Sequence, residues 1–268
     1  MYGVDRDDPC CIHTVEQLMD VIDEIGFLPL FKNEIPGFSV EERTVPDYWW
    51  SGDQERDPWQ WREEIARSRR IAYGKFFNKK AGFISMKWLP VFVNYRRDGY
   101  DFDSLWEDGK ASQRAKKIMD LFVLEEEELT FYEKQMDRCV LSACEKQMEK
   151  AEPSGKALEL YSPEIKKKAG FGSGGEKNFD GTLTDLQMQF YLCPADFRQR
   201  LNKSGSPYGW PVAVYGTPEH LYGYDLVRSA YFEKPEVSGK KIYEYMKERY
   251  PVAADKDIRK VLNLKNLK

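Results

Sequence analysis

The sequence predicts an α+β fold, mainly helical, made of tandem winged helix-turn-helix modules with small β-hairpin wings. Two observations carry this. Residues 162–221 read as a short helix, a glycine-rich loop, an amphipathic helix and a two-stranded ribbon. That order outlines a module whose second helix enters a nucleic-acid groove while its hairpin lies beside the backbone. A second helix-plus-hairpin unit can be read over residues 57–85. The organisation implied is a first module over 1–108, a second over 109–235 and a helical tail over 236–268. No internal repeat is strong enough to assert from the letters alone.

In chain order, Thr14 stands as a cap before Val15, Leu18, Val21, Ile22 and Ile25, which recur at helical spacing until Gly26 ends the run. His13, beside that cap, reads as a local structural residue. Residues 27–31 form a short apolar extended piece. Asp57 and Pro58 suit the cap and first position of a helix reaching Ser68. The stretches 71–77 and 81–85 flank Asn78-Lys79-Lys80 as a hairpin, and 87–95 return to helix. Six tryptophans lie from Trp49 to Trp106, and rings clustered this way read as core. Ala115, Ile118, Leu121 and Phe122 predict a helix over 111–124, and helical patterning resumes after Glu125 to Glu128 as far as 150. Glu152-Pro-Ser-Gly155 reads as a linker or turn.

The second module follows. Ser162, Pro163 and Glu164 suit a helix start, Lys166, Lys167 and Lys168 its last turn, and Gly170 its stop. Gly172, Gly174, Gly175 and Gly181 mark a loop, after which Thr182 with Asp185 can cap the next helix. Leu183, Leu186 and Phe190 give that helix one buried stripe, leaving Thr184, Asp185, Gln187 and Met188 on or near its other face. Past Pro194 the period changes to that of a hairpin turning at Asn202-Lys203-Ser204-Gly205, with Arg198, Arg200 and Lys203 on the wing. Residues 238–249 and 255–261 are two short polar helices about Pro251, packed back as a tail.

Composition narrows the function. The 268 residues are 41% hydrophobic and 14% aromatic, enough for a core. No apolar run reaches about 18 residues and no charged-then-apolar leader is present, so the expectation is a cytoplasmic protein off the membrane. Five cysteines without a repeated Cys-x-x-Cys spacing read as reduced thiols, and two histidines cannot build a histidine-rich metal site. No metal or cofactor is expected. The net charge of −4 weighs against a phosphate polymer as partner, because binding of that kind draws on local positive charge. Cationic clusters occur at 67–70, 79–80, 96–97, 114–117 and 166–168. A nucleic-acid reading requires them to gather into one continuous positive trough between the modules.

Two segments resemble a known family. Residues 76–92, reading FFNKKAGFISMKWLPVF and followed by Tyr95-Arg96-Arg97, resemble the first-module signature of the AlkZ/YcaQ family of bacterial DNA glycosylases. The wing end, Tyr215-Gly-Thr-Pro-Glu-His-Leu221, resembles the close of that family's second winged helix, and order and spacing agree over roughly residues 10–225. The resemblance implies tandem winged-helix modules around a DNA channel, excision of alkylated bases and unhooking of interstrand crosslinks. It also implies a Gln-x-Gln or Gln-x-Asp pair on the strand after the first helix, to orient water beside an oxocarbenium-like sugar. Here that place holds Phe27-Leu-Pro-Leu-Phe-Lys-Asn33, and the hairpin position of a family histidine holds Asn78-Lys79-Lys80-Ala81. Gln187-Met188-Gln189 has the letters but lies in the second module's helix.

Three functions follow. The first is a winged-helix DNA-binding relative of the glycosylases without their standard catalytic pair. It would hold duplex DNA, with Lys166, Lys167, Lys168, Arg198, Arg200 and Lys203 on phosphates and Gln187 on a base edge or the backbone. The second is an active glycosylase with substituted groups, for which Asn33 and Glu34 are the candidates. The third is an adaptor that binds protein, in keeping with the acidic total and Glu125 to Glu128.

Overall fold

The computed structural model describes residues 3–123, 157–202 and 204–265. The first helix, α1 (Val15–Ile25), starts where Thr14 Oγ1 accepts the Gln17 amide at 3.2 Å, and Gln17 Oε1 in turn accepts the His13 amide at 2.8 Å. Thr14→Ala is expected to lower stability by about 1 kcal/mol, seen as a small drop in the melting temperature. Gly26 ends the helix at φ 84°, and a Cβ there would lie 2.4 Å from the Trp88 ring. Only glycine allows both that conformation and that approach.

After α1 come β1 (Phe27–Pro29), two 3-10 turns (Glu41–Arg43 and Pro46–Tyr48), α2 (Pro58–Ser68) and the hairpin β2 (Ile71–Phe77) with β3 (Lys80–Ser85). Asp57 caps α2 by accepting the Trp59 amide at 2.9 Å and is itself fully buried. Asn78 and Lys79 close the hairpin, both at positive φ, as a two-residue mirror-image turn requires. α3 (Leu89–Arg97), α4 (Phe102–Glu107) and α5 (Gln113–Met119) lead on, followed by β4 (Glu159–Tyr161), α6 (Ser162–Lys168) and α7 (Phe179–Met188). The long ribbon is β5 (Cys193–Leu201) with β6 (Pro207–Gly216), and α8 (Pro218–Tyr222), α9 (Tyr224–Arg228), α10 (Pro235–Arg249) and α11 (Asp255–Val261) finish the chain. The helical pattern expected over 125–150, the linker at 152–155 and Lys203 lie outside the described residues.

The fold is α+β, with two small antiparallel sheets of the same strand order, β1-β3-β2 and β4-β6-β5. In each, the strand preceding the helices joins the edge of a later hairpin through its second strand. Both units run helix, strand, helical turn, helix and hairpin. The letters gave only a hint of this duplication.

The beginning of α7 differs from the expected one. The helix opens at Phe179, not Thr182, and Gly181 sits inside its first turn. Asn178 flanks it in the left-handed region, which brings its side chain to 2.3 Å from where a Gly181 Cβ would stand. Thr182 Oγ1 donates back to Asn178 O at 2.9 Å and so caps nothing. Likewise α6 has Tyr161 as its flanking residue and no side-chain cap, so Ser162 is its first residue and not its cap.

One large core runs through the first unit, the base of the second unit's ribbon (Cys193, Ala195, Val214) and the tail (Ile242, Met246, Ile258, Leu262). A smaller core lies around Ile118, Ile165, Leu183, Leu186 and Tyr215. The units are joined tightly: Phe76 stacks on Phe190 with ring centroids 4.5 Å apart, and the buried Arg62 guanidinium lies between the rings of Trp59 and Phe197. The tail docks on the first unit through Asn94 Nδ2 to Ser238 Oγ at 2.9 Å and Tyr245 OH to Ile25 O at 2.9 Å. Of the clustered tryptophans, Trp49 and Trp61 are buried and only Trp50 is exposed.

Candidate nucleic-acid interface

Basic side chains are useful to a phosphate partner only where no carboxylate has already neutralised them. Most of the clusters fail this condition. Arg67 pairs with Asp196, Arg69 with Glu159, Arg70 with Asp20 and Asp23, and Lys79 with Asp185. Arg114 and Lys117 share Glu176, and Lys116 holds Asp120. Arg97 is buried against Glu219. Arg96 donates to the backbone oxygens of Phe76 and Leu262, and burial pulls its pKa down to about 10. Among the described residues no continuous positive trough forms between the units.

Between the units lies a cleft of about 630 Å³ with a mixed lining, which holds Lys79, Arg96, Arg97, Lys110 and Lys265 together with Asp98, Asp185 and Glu236. The trough on which the nucleic-acid reading rested is thus not seen between the units among the described residues, and any such reading has to move to the cations of α6 and the β5–β6 hairpin. Arg67, Arg69 and Lys79 of the first unit find carboxylates of the second, whereas Arg70 finds Asp20 and Asp23 within its own unit.

Cations without a carboxylate partner among the described residues include Lys80 and Lys87 in the first unit and Lys177 in the second; five others cluster in the second unit, Lys166, Lys167 and Lys168 on α6 with Arg198 and Arg200 on β5. All five are exposed, and none has a carboxylate partner among the described residues. Their placement follows from local sequence. Pro163 sits in the first turn of α6 with Glu164 at the positive end, Ile165 is its buried anchor, and the lysines occupy the last turn where the helix dipole favours them. On β5 the burial pattern runs from buried at Cys193 to exposed from Arg198 onward. Lys166 and Arg200 line one open groove of about 550 Å³, with Ser162, Gln199 and Tyr208 between them and Asp180 at its edge. Lys166 Nζ stands 6.0 Å over the Phe179 ring.

Gln187 is placed differently from the expectation. Instead of facing outward it is 2% exposed: its Oε1 accepts the Lys75 amide at 3.1 Å and its Nε2 donates to Leu183 O at 3.3 Å. Thr184 and Met188 are buried too, with Lys75 Nζ donating to Thr184 Oγ1 at 3.3 Å. This face of α7 lies against β2 of the first unit, so the sequence stripe Leu183-Leu186-Phe190 shows only one of its two buried sides. Contact with a second module is invisible to a single-helix period.

Asn33 and Glu34 are also engaged. Asn33 Nδ2 donates to Phe38 O at 2.7 Å while its Oδ1 accepts the Ile35 amide at 2.9 Å, holding the loop after β1. Exposed Glu34 pairs with Lys260 on α11 at 2.5 Å, and that hydrogen bond holds its carboxyl below the ordinary range. No metal-binding group of histidine, cysteine and carboxylates occurs among the described residues, and no helix there is long and apolar enough to cross a membrane.

The two segments that carry the family resemblance meet in space. Arg97, closing the first, donates Nη1 to Glu219 Oε1 at 2.5 Å and Nη2 to Oε2 at 3.1 Å, and Glu219 lies in the second. The same guanidinium reaches Phe190 O at 2.7 Å and Tyr231 OH at 3.1 Å. Thr217 caps α8 by accepting the His220 amide, which fixes Glu219 one turn from the ribbon. His220 Nε2 lies 3.3 Å from Glu159, the partner of Arg69. The motifs thus mark the joint between the units.

No curated protein and no solved structure matches the chain. A family model described as AlkZ related matches residues 12–263, a span that takes in both sheets, the Arg97–Glu219 joint and the tail. The chain belongs to the AlkZ-related family.

Proposed function

We propose that this protein is a winged-helix DNA-binding relative of the DNA-repair glycosylases that holds duplex DNA without excising a base. The two units are read as tandem winged-helix modules, 1–108 and 109–235, with 236–268 as a helical tail; the repeated strand order supports this. One observation supports the DNA reading: five exposed cations without a carboxylate partner among the described residues lie together on α6 and the wing, and Lys166 and Arg200 line the same groove. Lys167, Lys168 and Arg198 neighbour these two in the chain. Gln187 takes no part, since β2 covers it. With Asn33 and Glu34 both engaged in structural contacts, binding is favoured over catalysis.

The test is fluorescence anisotropy on a labelled duplex across a salt series. Affinity is expected to fall steeply with salt, and Arg198→Ala with Arg200→Ala to weaken binding about tenfold and flatten the log–log salt slope by about 2. Absent or salt-independent binding refutes the reading. Incubating excess protein with alkylated or crosslinked duplex is expected to yield no abasic sites; an abasic product would restore the glycosylase.

A further inference from the structure

The wing carries more than charge. Residues 198–202 and 204–210 are exposed, and among them Leu201, Tyr208 and Trp210 are 60%, 50% and 57% exposed. These side chains belong to neither core, so packing does not account for their exposure. Their backbone is nevertheless firmly shaped. Gln199 Nε2 donates to the carbonyls of Tyr208 and Gly209 at 3.0 and 2.8 Å, across the register shift between Arg198 and Arg200. Asn202 Oδ1 accepts the amides of Ser204 and Ser206, both at 2.9 Å, at the tip.

Arg200 is the direct cross-strand partner of Tyr208, so the two share one face of the ribbon, and both line the groove that holds Lys166. Rings interleaved with cations suit a strand whose bases are free to stack while its phosphates meet positive charge. In an intact duplex the base faces are already occupied, and only the cations would gain.

We propose that the wing binds unpaired DNA nucleotides, Tyr208 and Trp210 stacking on bases while Arg198, Arg200 and Lys166 hold the adjoining phosphates. This rests on the DNA-binding reading of the same groove and names the form of DNA it prefers. The test uses the full chain and three labelled oligonucleotides of one sequence, about 20 nucleotides long: single strand, duplex, and duplex with an internal bubble. Single strand and bubble are expected to bind more tightly than duplex. Tyr208→Ala with Trp210→Ala should weaken those two about tenfold or more and leave the duplex within about twofold. Both positions are exposed, so an unchanged melting temperature is expected alongside. Preference for the duplex, or equal losses on all three, overturns the inference and leaves the duplex reading standing. Failure to bind any of them overturns both and leaves the wing to a protein partner.

Discussion

Glu219→Gln is expected to remove about 3–5 kcal/mol from the stability of the chain, read as a lower urea midpoint. The side chains of Arg97 and Glu219 are 1% and 2% exposed, so water cannot replace either partner. Burial works against the charged guanidinium, yet the Glu219 carboxylate outweighs it and raises the Arg97 pKa above its ordinary value. An arginine cannot shed its proton to escape, and glutamine offers one acceptor oxygen where the carboxylate offered two. The uncompensated charge would sit at the boundary of the two units. Arg97→Met combined with Glu219→Leu is expected to recover most of the loss, because an apolar pair of similar volume avoids the desolvation of both ions. A single variant within about 1 kcal/mol of the parent would mean that the pair is solvated and the joint loose.

The same residues show how far the letters reach. Thr14, Gly26, Asp57 and Pro58 act within one turn of themselves, and the elements they delimit stand where the sequence puts them. Gly181 misleads because its neighbour Asn178 adopts a left-handed backbone and sets its side chain where a Cβ at 181 would stand. At the candidate site, α6 and the β5–β6 hairpin are legible as basic local segments. The neutralisation of Arg67, Arg69 and Lys79 is not, since their carboxylates lie more than a hundred or some ninety positions away in the chain. Gln187 and the wing rings fail in opposite directions. The first looks free until a second module covers it, whereas Tyr208 and Trp210 look like ordinary strand residues until the ribbon is seen to outrun the core. The alternation of arginine with polar residues on the partner strand was the available signal.

Phe190→Ala is expected to lower stability by about 3–5 kcal/mol. Phe190 is fully buried and stacks on Phe76, with centroids 4.5 Å apart and planes 18° from parallel, so the truncated side chain would leave a void between units that are both rigid around it. Its backbone sharpens the test. Phe190 lies past the end of α7 at φ 59°, where a non-glycine residue is strained by about 1–2 kcal/mol. Phe190→Gly empties the same volume while relieving that strain, so it should be no less stable than Phe190→Ala and about 1 kcal/mol more stable. In a helix interior the order would be reversed. Because Phe190 belongs to the larger core shared by the first unit and the tail, both variants should unfold in one transition, followed together by tryptophan fluorescence and far-ultraviolet circular dichroism. Two separated transitions, with the first unit melting as in the parent, would show that the ring stack does not couple the units.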